Sequence, residues 1–547
     1  MSTFDNLPCE MIIDIFDYIP TSNVIDSFYN LNSRLNTIIY KLNNTTFDLS
    51  NISKNKFKFY CQHFIPKWQN SLKSLKLSNQ VTIDGIKLFN SRCKLEELSH
   101  LRSLTLIKPT YLEIGSIISK LSNLKQLTYL SIISNEYPSD ILKSLFTLSS
   151  LKTCCLLGFE VNDFDSDTDI CNIEYLTITC VNVNSMCQLL YHLPLLNRLI
   201  VTIKEENDPT TITLSTDTFQ NLKHLELKVD NIPFLQIESL LLKFPYIEYL
   251  SFSSHTDKDL DPDLIDSQHW ETIISSLTLL KHFSLYIDLS RCFPIDIDCI
   301  YSKFQTDFWI NREIHVNYLI TDLSYILHTI PYPEQTFAID WTYFKTKSLN
   351  FANNYDRVHN LSITFNNDES KHSALKFTNL QSLQILDFDG IPLEFNESIE
   401  LDKLRHLHLS CKTFQNMELL KRTKNLHSLT LLNCDLKQTI FNDLIVMENM
   451  SRIKELKLYG LNYTSETVDL IVSVFSNIES LTIEVKTLEY FGSILKQLLN
   501  KLTKLIHLQV YSRDDEKNTW SSWTKRNSRL LKNLCYRSFN RFLFFWL

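Results

Sequence analysis

The stretch LRHLHLSC places His406, His408 and Cys411 within one short segment. Histidines two residues apart lie on one side of an extended strand, so this face could offer two imidazoles to a metal ion, or an imidazole to a thiol nucleophile. Three similar stretches, LKHLEL, LKHFSL and LIHLQV, carry His224, His282 and His507 at the same relative position. Recurrence at one place is a habit of a surface, not of a catalytic set. Other chemistry is equally thin. Only 6 glycines occur in 547 residues, and none are close enough for G-x-G-x-x-G or a phosphate-binding P-loop. G-x-S-x-G and H-E-x-x-H are absent. The 13 cysteines are scattered without a C-x-x-C, so no zinc ribbon is expected. The expectation is a protein that is not an enzyme and holds no cofactor or metal.

What positions those histidines is a repeated element. A six-residue template, apolar at positions 1, 4 and 6, starts at residues 72, 101, 127, 151, 173, 196, 222, 247, 280, 358, 383, 404, 426, 453, 478 and 505. Positions 4 and 6 are two apart and share one face of a strand, and position 1 turns in from the loop before it. Helix-period segments such as IGSIISKLSNL (114–124) and NSMCQLLYHLPLL (184–196) lie between the copies. Each unit is a short strand and a helix, unable to bury its apolar side alone but able to do so when stacked. Residues 286–357 lack a clean template and are read as two or three degenerate repeats with a longer loop.

From Leu426, LHSLTLLNCDL fills L-x-x-L-x-L-x-x-N/C-x-L with Cys434 at the N/C position, and LTYLSIISNEY puts Asn135 there. The chain thus resembles the leucine-rich-repeat family over about residues 70 to 515. The resemblance implies an α/β solenoid, a curved parallel sheet with helices outside, spanning 72–515. Template positions 3, 5 and 7 then line the concave face. Its expected target-binding residues are Tyr129, Tyr175, His224, Tyr249, His282, Tyr286, His406, His408, Tyr459 and Tyr511, with Asp387 and Asp389 at the copy starting at 383. Tyrosine and histidine on a broad sheet suit protein recognition, because such side chains bring contact area at little entropic cost. The target protein itself is not legible.

The chain begins FDNLPCEMIIDIFDYIPTSN. Pro8 suits a first helical turn, and Ile12, Ile15, Phe16 and Ile19 follow at helical spacing, with Met11 and Ile13 off that stripe. Pro20 ends the helix, and 21–40 supplies two more short helical segments. Residues 7–19, LPCEMIIDIFDYI, resemble an F-box, and VIDSFYNLNSRLNTII is similar to the rest of that motif. The resemblance implies a small all-α three-helix module at 1–45 that docks a Skp-type adaptor, and through it a cullin–RING ubiquitin ligase, using Leu7, Pro8, Glu10, Ile12, Ile15, Phe16 and Ile19. Residues 46–71 are read as a bridging first repeat that seals the array.

The last segment, 516–547, ends RFLFFWL after interspersed basic residues. It is read as a C-terminal cap over the last repeat, in preference to a membrane-surface helix. A net charge of -8 disfavours a general nucleic-acid binder, and no run of about 18 apolar residues is present to span a bilayer. These features place the protein, by expectation, in the cytoplasm or nucleus.

Overall fold

Template positions 4 and 6 are buried in the copies except at Phe283, which is half-buried, and in the copy read from 383, where Leu386 is half-buried and Phe388 lies outside the described residues; position 1 is buried alongside them in nearly all. That alternation in the computed structural model is what makes the strands. The structure describes residues 7–42, 45–80, 82–138, 141–161, 170–204, 218–256, 261–290, 296–320, 324–340, 345–346, 355–364, 376–386, 399–410, 417–433, 444–461, 463–486, 488, 491–513, 519–532, 534–539 and 541–547. The chain divides into two compact units, Met1–Leu250 with Thr272–His282, and Ser251–Glu271 with Phe283–Leu547.

The first unit opens with three helices, α1 (Cys9–Asp17), α2 (Thr21–Phe28) and α3 (Ser33–Tyr40). A strand, β1 (Thr45–Asp48), and a helix, α4 (Lys54–His63), follow. Parallel strands then succeed one another in chain order: β2 (Leu72–Ser78), β3 (Ser103–Ile107), β4 (Tyr129–Ile133), β5 (Thr153–Val161), β6 (Tyr175–Cys180), β7 (Arg198–Ile203) and β8 (His224–Asp230). Residue 3 of one template pairs with residue 3 of the next throughout, as in Tyr129↔Thr153 and Tyr175↔Arg198. Backbone bonds enforce this register. The position-2 carbonyl accepts both the position-2 and position-3 N–H of the following repeat; Glu174 and Tyr175 donate to Lys152 O at 2.8 and 3.0 Å. Just before position 1, Asn172 and Asn221 donate side-chain N–H to Ser149 O and Pro194 O of the preceding repeat, at 3.1 and 2.6 Å.

Strand β9 (Tyr249–Thr256) and strand β10 (His282–Ser290) run across the boundary between the units. In the second unit the region without a clean template departs from the degenerate-repeat expectation. β11 (His315–Ile320) and β12 (Ser324–Ile330) form an antiparallel hairpin, and β12 pairs antiparallel with β10. Among the described residues of this region, only β13 (Thr336–Asp340) behaves as a repeat strand; the two-residue β14 (Lys345–Thr346) pairs antiparallel with β11. A hairpin alternates apolar residues without the strand–helix period, so no template marks it.

Beyond β13 a second sheet resumes the parallel order: β15 (Asn360–Thr364), β16 (Ser382–Leu386), β17 (His406–Ser410), β18 (Ser428–Leu432), β19 (Glu455–Tyr459), β20 (Ser480–Val485) and β21 (His507–Ser512). Here one sequence assignment is corrected. Ser382, not Ile385, pairs with His406, so the template begins at Leu380 as LQSLQI. Apolar residues at 380, 383 and 385 and at 383, 386 and 388 satisfy the same pattern; the structure selects the former. Asn379, Asn425 and Asn477 confirm the register by repeating the side-chain stitch to Asp356 O, Asp402 O and Ser451 O at 2.8, 2.7 and 2.6 Å. Asp387, Asp389, Cys411 and Cys434 lie outside the described residues.

The C-terminal segment closes the second sheet with strands. β22 (Cys535–Phe539) and β23 (Phe542–Trp546) form a hairpin, and β23 pairs antiparallel with β21. Leu543, Phe545 and Trp546 are buried, and Leu547 N donates to Ile506 O at 2.8 Å, completing the position-2 carbonyl ladder. Among the described residues no helix is long and apolar enough to cross a membrane.

Candidate interaction surfaces

The N-terminal helices owe their form to their caps. Pro8 and Pro20 precede α1 and α2 with extended backbone, and Asn32 caps α3 by accepting from Leu35 N at 2.8 Å. Ile12 and Phe16 point inward against Val24, Ile25, Leu35, Ile38 and Ile39 to form the bundle's core, with Phe16 and Phe28 rings 4.9 Å apart. The bundle is tied to the strand and helix that follow. Thr46 N donates to Thr21 Oγ1 at 3.0 Å, Tyr60 OH donates to Asp26 at 2.7 Å, and Trp68 Nε1 donates to Tyr40 O at 3.3 Å.

This packing redistributes the residues expected to dock an adaptor. Ile12 and Phe16 are core residues and offer nothing to a partner, because burial of that stripe is what holds the three helices together. Leu7 and Ile19 are half-buried, and the Leu7 carbonyl accepts from the Arg34 guanidinium. Pro8 and Glu10 are exposed, as is Ile15 at 36%. Three large apolar residues outside that expected set are more open: Met11, already off the stripe in the sequence, at 49%, Leu31 at 64% and Tyr18 at 91%. Positions 8, 11, 15 and 18 recur at helical spacing, so Pro8, Met11, Ile15 and Tyr18 make a second stripe beside the buried one. Apolar residues lying off the core stripe were the available signal.

On the repeat face, the position-3 residues stand in a row across the first unit. Tyr129 and Tyr175 are 37% and 43% exposed. His224 and Tyr249 stack in parallel at 4.0 Å, with His282 6.1 Å beyond Tyr249. Glu226 accepts from Arg198 at 2.7 Å and contacts His224 Nε2 at 2.9 Å. Burial lowers the His224 pKa, against the opposing pull of Glu226.

In the second unit, His406 is exposed and His408 half-buried on β17, both on the outward side, and burial lowers both pKa values. Among the described residues no group of three histidine, cysteine or acidic side chains is placed to hold a metal ion. Tyr459 and Tyr511 are half-buried outward residues of their strands; Tyr511 OH accepts from Arg541 at 3.3 Å. Tyr286 lies mostly buried, its ring 5.8 Å from that of Tyr332 and perpendicular to it, so it belongs to an internal aromatic cluster more than to an open face. His507 is buried where β23 pairs with β21, and its pKa is pushed down to about 4 by burial.

No family model matches the chain, and no curated protein matches it. Among solved structures, a TLR13–ssRNA13 complex is similar at 16% identity, over 81% of this chain and 63% of that one, with a TM-score of 0.28. A superposition this loose carries no argument. The leucine-rich-repeat-like character of the fold rests on its own ladder of parallel strands and intervening helices.

Proposed function

We propose that the protein is a protein-interaction scaffold whose repeat face holds a target and whose N-terminal helices recruit a Skp-type adaptor, making it the substrate receptor of a Skp–cullin–F-box ubiquitin ligase. One observation carries the recruiting half of this reading. Met11, Ile15 and Tyr18 form an exposed apolar stripe on a bundle that already has a complete core in Ile12, Phe16 and their neighbours. An apolar helix face left in water costs stability unless a partner's groove covers it. The protein would perform no chemistry of its own; it would raise the local concentration of target beside a ubiquitin-charged enzyme.

Co-expression with a Skp-type adaptor tests the assignment. Ile15→Asp is expected to abolish co-purification while the thermal midpoint stays within about 2 °C of the parent, since Ile15 is already at the surface. Retained association in the folded variant overturns the ligase reading. A second reading, a scaffold that recruits no ligase, is favoured by the burial of Ile12 and Phe16 within the chain. It predicts no adaptor association for the parent protein either.

A further inference from the structure

The outward face of β3 to β6 differs from the rest of the first unit's sheet in having no charged residue at template positions 3, 5 or 7. Along the sheet the next charges at those positions are Lys76 on one side and Arg198 on the other; the charges bordering the field are already paired, Lys152 with Glu174 at 2.6 Å beside Tyr175, and Glu160, next to Thr179 on β6, with Lys204. Within this field the side chains form two rails and a floor. Tyr129 and Tyr175 stand on either side of Thr153 at position 3. At position 7, Ile107 pairs with Ile133 and Ile133 with Leu157. Leu157 is 42% exposed because the strand bulges directly after it, at Gly158, whose φ of +84° suits glycine. Between the rails the floor is small and polar, with Ser131 only 5% exposed.

The dimensions select an occupant. Rails four residues apart along a strand are separated by about 13 Å, and three strand spacings give a length of about 14 Å. An α-helix about 10 Å across fits that width, and about nine of its residues span that length. A single extended strand would leave one rail untouched. With no charge between the rails and the bordering charges already ion-paired, a lysine or glutamate brought onto the floor would lose its hydration with nothing to pair with, so the matching partner face is uncharged.

We infer that the β3–β6 face docks the uncharged, apolar side of an amphipathic helix supplied by a partner protein, with the Tyr129–Tyr175 gap receiving its central side chain. The inference rests on the reading of the repeat face as the target-binding surface and gives that target a chemistry.

The test uses the full chain and a phage-displayed library of helix-forming peptides, with selected peptides measured by fluorescence anisotropy. Enriched sequences should carry uncharged apolar residues at i, i+3, i+4 and i+7. Their affinity should fall roughly tenfold for Tyr129→Ala and for Tyr175→Ala, and further for Leu157→Asp. These three side chains are exposed, so the variants should melt with the parent, which separates lost contact from lost fold. Peptides with charged faces that still need both tyrosines overturn the partner class and leave the target-binding reading intact. Peptides that need none of the three residues but are lost on Tyr459→Ala overturn the β3–β6 site alone. No enrichment, or extended rather than helical peptides, overturns the inference; an authenticated target that binds a chain bearing Tyr129→Ala, His224→Ala and Tyr459→Ala unchanged overturns the broader reading.

Discussion

Both ends of the chain carry a short segment dense in isoleucine, phenylalanine and other large apolar residues, yet the structure uses them differently. At the C-terminal end, RFLFFWL becomes β23, which covers the edge of β21, buries Leu543, Phe545 and Trp546, and passes the outermost place in the sheet to the short β22. At the N-terminal end, α1 buries Ile12 and Phe16 but leaves Met11, Ile15 and Tyr18 in solvent. A stack of repeats must close both ends, because an unpaired strand edge invites other chains. The C-terminal segment spends most of its large apolar residues on that closure, leaving Tyr536 at 39% exposure. The N-terminal helices close the array through α4 and β1 and still have an apolar stripe left over. Apolar content alone therefore does not tell a cap from the docking module proposed above; the proposal rests on what remains after the core is satisfied.

The largest effects should come from residues that serve the core at either end. Trp546→Ala and Phe16→Ala are each expected to cost about 3–5 kcal/mol in urea unfolding, equal penalties at opposite ends. If Phe16→Ala were nearly neutral, α1 would be a detachable arm and the comparison would fail.

Acid should separate the ends next. His507 beneath the C-terminal hairpin and His328 in the aromatic cluster have pKa values near 4, lowered by burial from 6.5. The unfolded chain takes up their protons first, so their contribution is intact above about pH 6.5 and is lost as pH falls towards 4. Each difference amounts to at most about 3 kcal/mol. His507→Leu should make the loss in urea midpoint between pH 7 and pH 4.5 measurably smaller. An unchanged pH slope in that variant removes His507 from the account.

Smaller effects probe the N-terminal end. Arg34→Ala, which frees the Leu7 carbonyl, should cost about 1 kcal/mol by the same urea measurement. Tyr18→Ala should change stability by less than about 0.5 kcal/mol despite removing a large aromatic ring, because that ring touches mainly water.

Much of the fold was legible because the leucine spacing is a physical requirement: positions 1, 4 and 6 must be apolar for any stacked strand to bury its inner side. The same tolerance explains the slip at 383, where two overlapping registers fit the template and only the pairing of Ser382 with His406 decides between them. The β11–β12 hairpin was illegible because antiparallel pairing depends on contacts distant in sequence, not on a period. The packing of the N-terminal helix was half legible. Helical spacing placed Ile12 and Phe16 on a stripe correctly, but which stripe faces inward depends on α2 and α3, and these take Ile12 and Phe16 and leave Met11 and Tyr18.

The most direct test combines the two outward residues that the core does not need. Calorimetric titration of the Met11→Ser, Tyr18→Ser double variant with a Skp-type adaptor should show binding weakened at least about 30-fold, with a melting curve superimposable on the parent's. Unchanged affinity in a folded double variant would contradict the claim that this stripe exists for a partner.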